Sequence, residues 1–192
     1  MKSVLRWCAV VALVALPLSG AKAAFIDVSV AGWSTFGGYA LPGGINSGSQ
    51  VSIGAGSQVT LIEYFDVEFE SLSPSWGEEL VLSVNDDDGL GNFFDHAPYA
   101  DPGNDNPGIF GPISGVFGSS PGLSIGGLFT ANTGDLWVTA YETFNDGGNA
   151  GQDAVIRTGS IRIHYTAVPE PTSAMLAVCG LGLCMIRRRV QA

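Results

Sequence analysis

Apolar and polar residues alternate in short runs along the middle of the chain. Phe65, Val67 and Phe69 alternate with Asp66, Glu68 and Glu70, which predicts a strand with one buried face and one acidic face in water. Leu80, Leu82 and Val84 repeat the pattern, and Leu136, Val138 and Ala140 do so against Trp137, Thr139 and Tyr141. A last strand carries Ile161, Ile163 and Tyr165 opposite Arg162 and His164. Further strands are expected over 25–30, 51–53, 59–64, 93–95, 113–117 and 123–129. Clusters of Gly, Pro, Asn and Asp separate these runs, as turns require. Between positions 24 and 168 there are 24 glycines. Each would cost a helix interior about 1 kcal/mol relative to alanine, so long helices are not expected. Seven to nine principal strands, with 93–95 and 113–117 as short additions inside an acidic stretch, predict an all-β fold, a single antiparallel β-sandwich or jelly roll over 24–167. No repeat of fixed period is present, and nothing marks a second domain.

The two ends of the chain have a different character. Residues 1–23 read MKSVLRWCAVVALVALPLSGAKA: basic residues, an apolar run from Trp7 to Leu18, then Ala21-Lys22-Ala23. That is the order of a secretory signal peptide with cleavage after Ala23. At the other end a short apolar run over 174–186 lies between Pro169-Glu170-Pro171 and Arg187-Arg188-Arg189. As a helix it would span about 20 Å, short of a hydrocarbon core of about 30 Å. The arginines hold the C-terminus on the cytoplasmic side, which places the body of the chain on the exported side. The prolines remove backbone N–H groups around Glu170 and keep the triplet extended, within reach of a processing enzyme.

This ordered combination over 168–192 resembles the PEP-CTERM sorting signal of exported bacterial proteins. The resemblance implies a chain that passes the inner membrane, is held there transiently by its tail, and is processed by an exosortase-type enzyme. Its sorting residues would be Pro169, Glu170, Pro171, Arg187, Arg188 and Arg189. The resemblance implies a cell-surface or extracellular location afterwards. The segment 135–166, DLWVTAYETFNDGGNAGQDAVIRTGSIRIHYT, is in turn similar to the closing strands of P-domain-like jelly rolls, where a Trp-containing strand precedes an Asp/Gly loop and a final strand. That likeness implies a non-catalytic accessory or adhesive module, in some cases with calcium.

Charge and cysteine placement narrow the function further. Between positions 24 and 168 stand 17 acidic residues against 2 basic ones, Arg157 and Arg162, with no lysine. Nucleic-acid binding needs clustered Lys and Arg to replace counterions, so a nucleic-acid partner is not expected. Cys8, Cys179 and Cys184 all fall in the apolar ends, so the exported body has neither a disulfide nor a thiol nucleophile.

The acidic stretch 85–122 offers a candidate calcium site in Asp86, Asp87, Asp88 and Asp95, because converging carboxylates without bases call for a hard cation with oxygen ligands. The competing reading is that these residues close Asx-turns and need no ion. An EF-hand register fails: with Gly89 at the sixth position, the first ligand would be Val84. His164 reads as an exposed sheet residue and His96 as a hydrogen-bonding loop residue. No G-x-S-x-G elbow, H-E-x-x-H or Cys/His set supports catalysis, and Glu78-Glu79 would serve glycoside hydrolysis only in a suitable cleft. Trp33, Phe36, Tyr39, Trp76, Tyr99, Trp137 and Tyr141 are divided between core filling and contact with sugars or protein partners. The reading is thus a non-enzymatic surface or extracellular-matrix module. A carbohydrate-binding module, with extracellular polysaccharide as partner, is the alternative, and a hydrolase comes third.

Overall fold

The computed structural model describes residues 22–38, 46–86, 93–99, 106–118, 124–126, 128–144 and 151–168. Those residues contain no α-helix, and every strand pairing among them is antiparallel. In chain order the strands are β1 (Lys22–Ser29), β2 (Ser34–Thr35), β3 (Gly48–Ser52), β4 (Ser57–Ser71), β5 (Leu80–Asp86) and β6 (Phe93–His96). They continue with β7 (Gly108–Val116), β8 (Ser124–Gly126), β9 (Thr130–Ala131), β10 (Asp135–Glu142) and β11 (Ala154–Ala167). A single 3-10 turn, Gly77–Glu79, leads into β5. Both apolar ends, including the sorting residues, lie outside the described residues. Among the described residues no helix is long and apolar enough to cross a membrane.

Two sheets form. The first runs β1-β11-β4-β7, with β2 added on β11 and β9 on β4; the second runs β3-β10-β5-β6-β8. Alternation decides what each contributes to the space between them. Leu80, Leu82 and Val84 of β5 and Leu136, Val138 and Ala140 of β10 are fully buried, as their spacing predicted. From the first sheet come Val28, Ile62, Val67, Phe69, Ile156, Ile161 and Ile163, and all of these join one cluster. Each large aliphatic or aromatic side chain so buried contributes about 1.5–3 kcal/mol. No disulfide is needed to close such a core.

The runs expected at 59–64 and 65–69 are one strand, β4, of 15 residues. Its inward set changes parity midway, from Ile62 and Tyr64 to Val67 and Phe69. The change occurs at Asp66, which has φ of 50° where the ladder to β7 skips register. Phe65, expected in the core, therefore stands half-buried on the outer face, its ring 5.3 Å from the Arg162 guanidinium carbon. The neighbouring strand makes room with Gly159, at φ of 122°, where a Cβ would come within 2.8 Å of Val67 Cα.

The outer face of the first sheet also takes up both arginines of the acidic body. Arg162 makes two bonds to Asp27, at 2.7 and 2.8 Å, and lies 4.4 Å over the ring of Phe25. Arg157 bonds Glu70 at 2.7 Å. His164, expected to be exposed, is half-buried and its Nε2 lies 2.6 Å from Glu63. β1 and β11 pair from Lys22↔Ala167 to Ser29↔Ser160. The compact body spans Lys22–Ala167.

Candidate functional site

The outward set of the second sheet is polar and aromatic where the inward set is aliphatic. Cross-strand register places Gly48, Thr139, Ser83 and Asp95 in one row across β3, β10, β5 and β6. The next row holds Gln50, Trp137, Asn85 and Phe93, and Tyr141 follows beside Val81. Gly48 is required at its place, because a Cβ there would stand 2.8 Å from Thr139 Cγ2. Trp137 and Tyr141 are four residues apart on one face of β10, which separates them by about 13 Å with Thr139 between.

These side chains are joined to one another. The Tyr141 hydroxyl donates to Asp95 Oδ2 at 2.9 Å, and Asn85 Nδ2 donates to Ser83 Oγ at 3.0 Å. Burial pushes the Asp95 carboxyl above the usual range, against the hydrogen bonds from Ser83 and Tyr141. Two polar atoms in this patch, Asp95 Oδ1 and Thr139 Oγ1, are buried and make no hydrogen bond. Such atoms are rare in a folded chain. Ser83, Asn85 and Thr139 are buried on this face, which leaves Gln50 exposed and Phe93, Asp95, Trp137 and Tyr141 partly exposed.

Of the calcium candidates, the two described ones, Asp86 and Asp95, are not brought together. Asp95 shares the outer face with Ser83, whereas Asp86 ends the inward stripe of β5 and is buried. Asp86 accepts the Asn132 N–H at 2.8 Å and the Thr133 hydroxyl at 3.2 Å, so it closes the turn before β10. Asp87 and Asp88 lie outside the described residues. Among the described residues no group of three His, Cys, Asp or Glu is arranged to hold a metal ion.

His96 is the other departure from expectation. It ends β6 instead of lying in a loop, is fully buried, and packs its ring 5.0 Å from Phe117 and 5.2 Å from Tyr64. Burial lowers its pKa to about 4, so at neutral pH it is an uncharged core ring. Among the aromatics, Trp33 and Tyr99 pack partly against the core, Trp137 and Tyr141 lie half-buried on the polar patch, and Trp76 is exposed. Tyr39 lies outside the described residues. Sequence reasoning did not single out Ser83, Asn85 or Thr139. The alternation that placed them outward was legible, whereas the register that sets them in adjoining rows was not.

Comparison with known proteins finds no matching family model, no similar curated protein and no similar solved structure.

Proposed function

We propose that this chain is an exported, non-catalytic surface or extracellular-matrix module, sorted by a PEP-CTERM-type tail and processed by an exosortase-type enzyme. The observation that carries the reading is a coincidence of boundaries. The compact body Lys22–Ala167 ends within two residues of the limits, 24 and 167, set by the signal-like and tail-like segments. Removal of residues up to Ala23 leaves the β1–β11 ladder intact from Ala24↔Tyr165 to Ser29↔Ser160, so a processed body keeps its edge strand. The two-sheet arrangement, with β10 and β11 in different sheets, is consistent with a jelly-roll reading of 135–166. Mass spectrometry of the protein recovered from its native cells tests this. A mature N-terminus at Ala24 and a C-terminus near the Pro169-Glu170-Pro171 triplet are the expected result. An intact chain carrying both ends in the cytosol refutes it.

A second reading, carbohydrate binding, is favoured by the partly exposed Trp137 and Tyr141 on one face of β10, with exposed Gln50 paired to Trp137. Screening the mature protein against polysaccharides tests it. Binding is expected to be lost in Trp137→Ala without loss of the cooperative melt; no binding to any polysaccharide tested, or binding unaffected by Trp137→Ala, counts against this face.

A further inference from the structure

β10 ends with an anomaly. Its inward stripe of Leu136, Val138 and Ala140 continues into Glu142, a carboxylic acid that is fully buried at a core position. Four segments meet around it through backbone bonds. Glu142 N–H donates to Gly37 O, Thr143 N–H to Glu79 O, Asp153 N–H to Thr35 O, and Leu72 N–H to Asp153 O. The Thr35 hydroxyl donates to Glu142 Oε1 at 3.1 Å. The second oxygen, Oε2, is buried and has no partner at hydrogen-bonding distance.

Among the described residues, the charged groups facing this site are acidic. Asp153 and Glu79 are both buried beside it, from the approach to β11 and from the 3-10 turn. Glu78 on the same turn is half-buried, Tyr141 projects from the opposite face of β10, and the segment 34–37 carries no titratable side chain. Neither arginine of the body serves the site, since Arg157 bonds Glu70 and Arg162 bonds Asp27 on the outer face. Lys22 pairs with Ala167, at the other end of β11. A buried ionised carboxylate with one bare oxygen and two acidic neighbours is costly, whereas the neutral acid is tolerated.

We propose that Glu142 is a proton-held latch: its protonated carboxyl keeps the segments 34–37, 72–79, 142–143 and 153 joined at this end of the sandwich, and its ionisation lets them separate. The balance lies close to neutrality. Burial foremost, with repulsion from Asp153 and Glu79, raises the Glu142 pKa from 4.5 to about 7, against the Ser75 and Thr35 hydroxyls. In the separated state the carboxyl is hydrated and titrates in the ordinary range. The opening constant therefore rises with pH between that range and about 7, then levels off.

Amide hydrogen exchange on the full chain, corrected for intrinsic chemistry, tests the latch at Glu142, Thr143, Asp153 and Leu72. Their opening constants are expected to rise about a hundredfold or more from pH 4.5 to 7.5. In Glu142→Gln, which keeps the shape and loses the titration, they are expected to stay flat. Opening that is flat with pH in the wild-type chain overturns the proposal, as does a rise that survives in Glu142→Gln. Should that variant not fold, Asp153→Asn supplies the test. Relief of one repulsion makes the rise smaller and ends it at lower pH, and a profile identical to wild type overturns the latch.

Discussion

Acidification should set two buried groups of this protein against each other, and replacing His96 should reveal it. The His96 ring lies fully buried between Phe117 and Tyr64, and its pKa is lowered from 6.5 to about 4 by burial. Its contribution to stability is complete above 6.5 and is lost as pH falls toward 4, because the unfolded chain binds the proton first. At about 1.4 kcal/mol per tenfold change, the loss approaches about 3 kcal/mol at pH 4. Glu142 has the opposite sign. Its raised pKa gives stability that is complete below 4.5 and lost as pH rises through about 7. Over pH 7.5 to 4.5 the two contributions nearly cancel. His96→Phe keeps a ring in the stack and removes the titration. Urea unfolding at several pH values should show the stability of His96→Phe rising relative to wild type by about 2–3 kcal/mol as pH falls from 7.5 to 4.5. Glu142→Gln should lose a similar amount relative to wild type over the same range. A wild-type-to-His96→Phe difference that is constant with pH would refute the assignment of His96 as a neutral core ring.

Three further outcomes follow from the packing and the sequence. Ile161→Ala, at a fully buried position in the shared core, should cost about 2–5 kcal/mol in the same unfolding assay. Gly134→Ala should be at least as harmful as an ordinary core truncation, since Gly134 has φ of 87° and a Cβ would stand 2.3 Å from Ala55 N. Retention of the wild-type melting temperature in that variant would show that the 54–57 and 132–134 turns do not meet in this way. Millimolar calcium should leave the melting temperature unchanged, because Asp86 and Asp95 stand on opposite faces of the second sheet; a rise reversed by chelator would instead support an ion at Asp86, Asp87, Asp88 and Asp95.

The fold was legible where alternation was uninterrupted. β10 and the second half of β11 bury the residues that period two selects; β5 does so too, but its alternate residues Val81, Ser83 and Asn85 are buried as well, so alternation revealed only its core face. β4 shows where local reading ends. Nothing in Asp66 itself announces a positive φ, and the bulge that puts Phe65 outside arises from pairing with β7 and β11. The two-residue strands β2 and β9 carry too short a pattern to register, and they exist through their partners β11 and β4. The polar patch was half legible for the same reason. Residue type gave Trp137 and Tyr141, while the rows that add Ser83, Asn85 and Asp95 depend on register. Glu142 escaped notice because an acid at the end of a strand ordinarily reads as exposed.

Strand pairing also gives the body a direction. β11 is 14 residues long, about 45 Å when extended, and its end at Ala167 pairs with the first residue of β1. Lys22 and Ala167 thus stand side by side at one pole of the body. The start of β11 at Ala154 pairs with Ser71 and Thr35, and Ser71 pairs with Gly108, which gathers the other pole. That pole holds the Glu142 cluster, and its adjoining segments expose Trp76, Ile109 and Phe144. Glu142 and the Lys22↔Ala167 pair thus lie toward opposite ends of β11, and changing Glu142 should leave hydrogen exchange in the β1–β11 ladder unaffected.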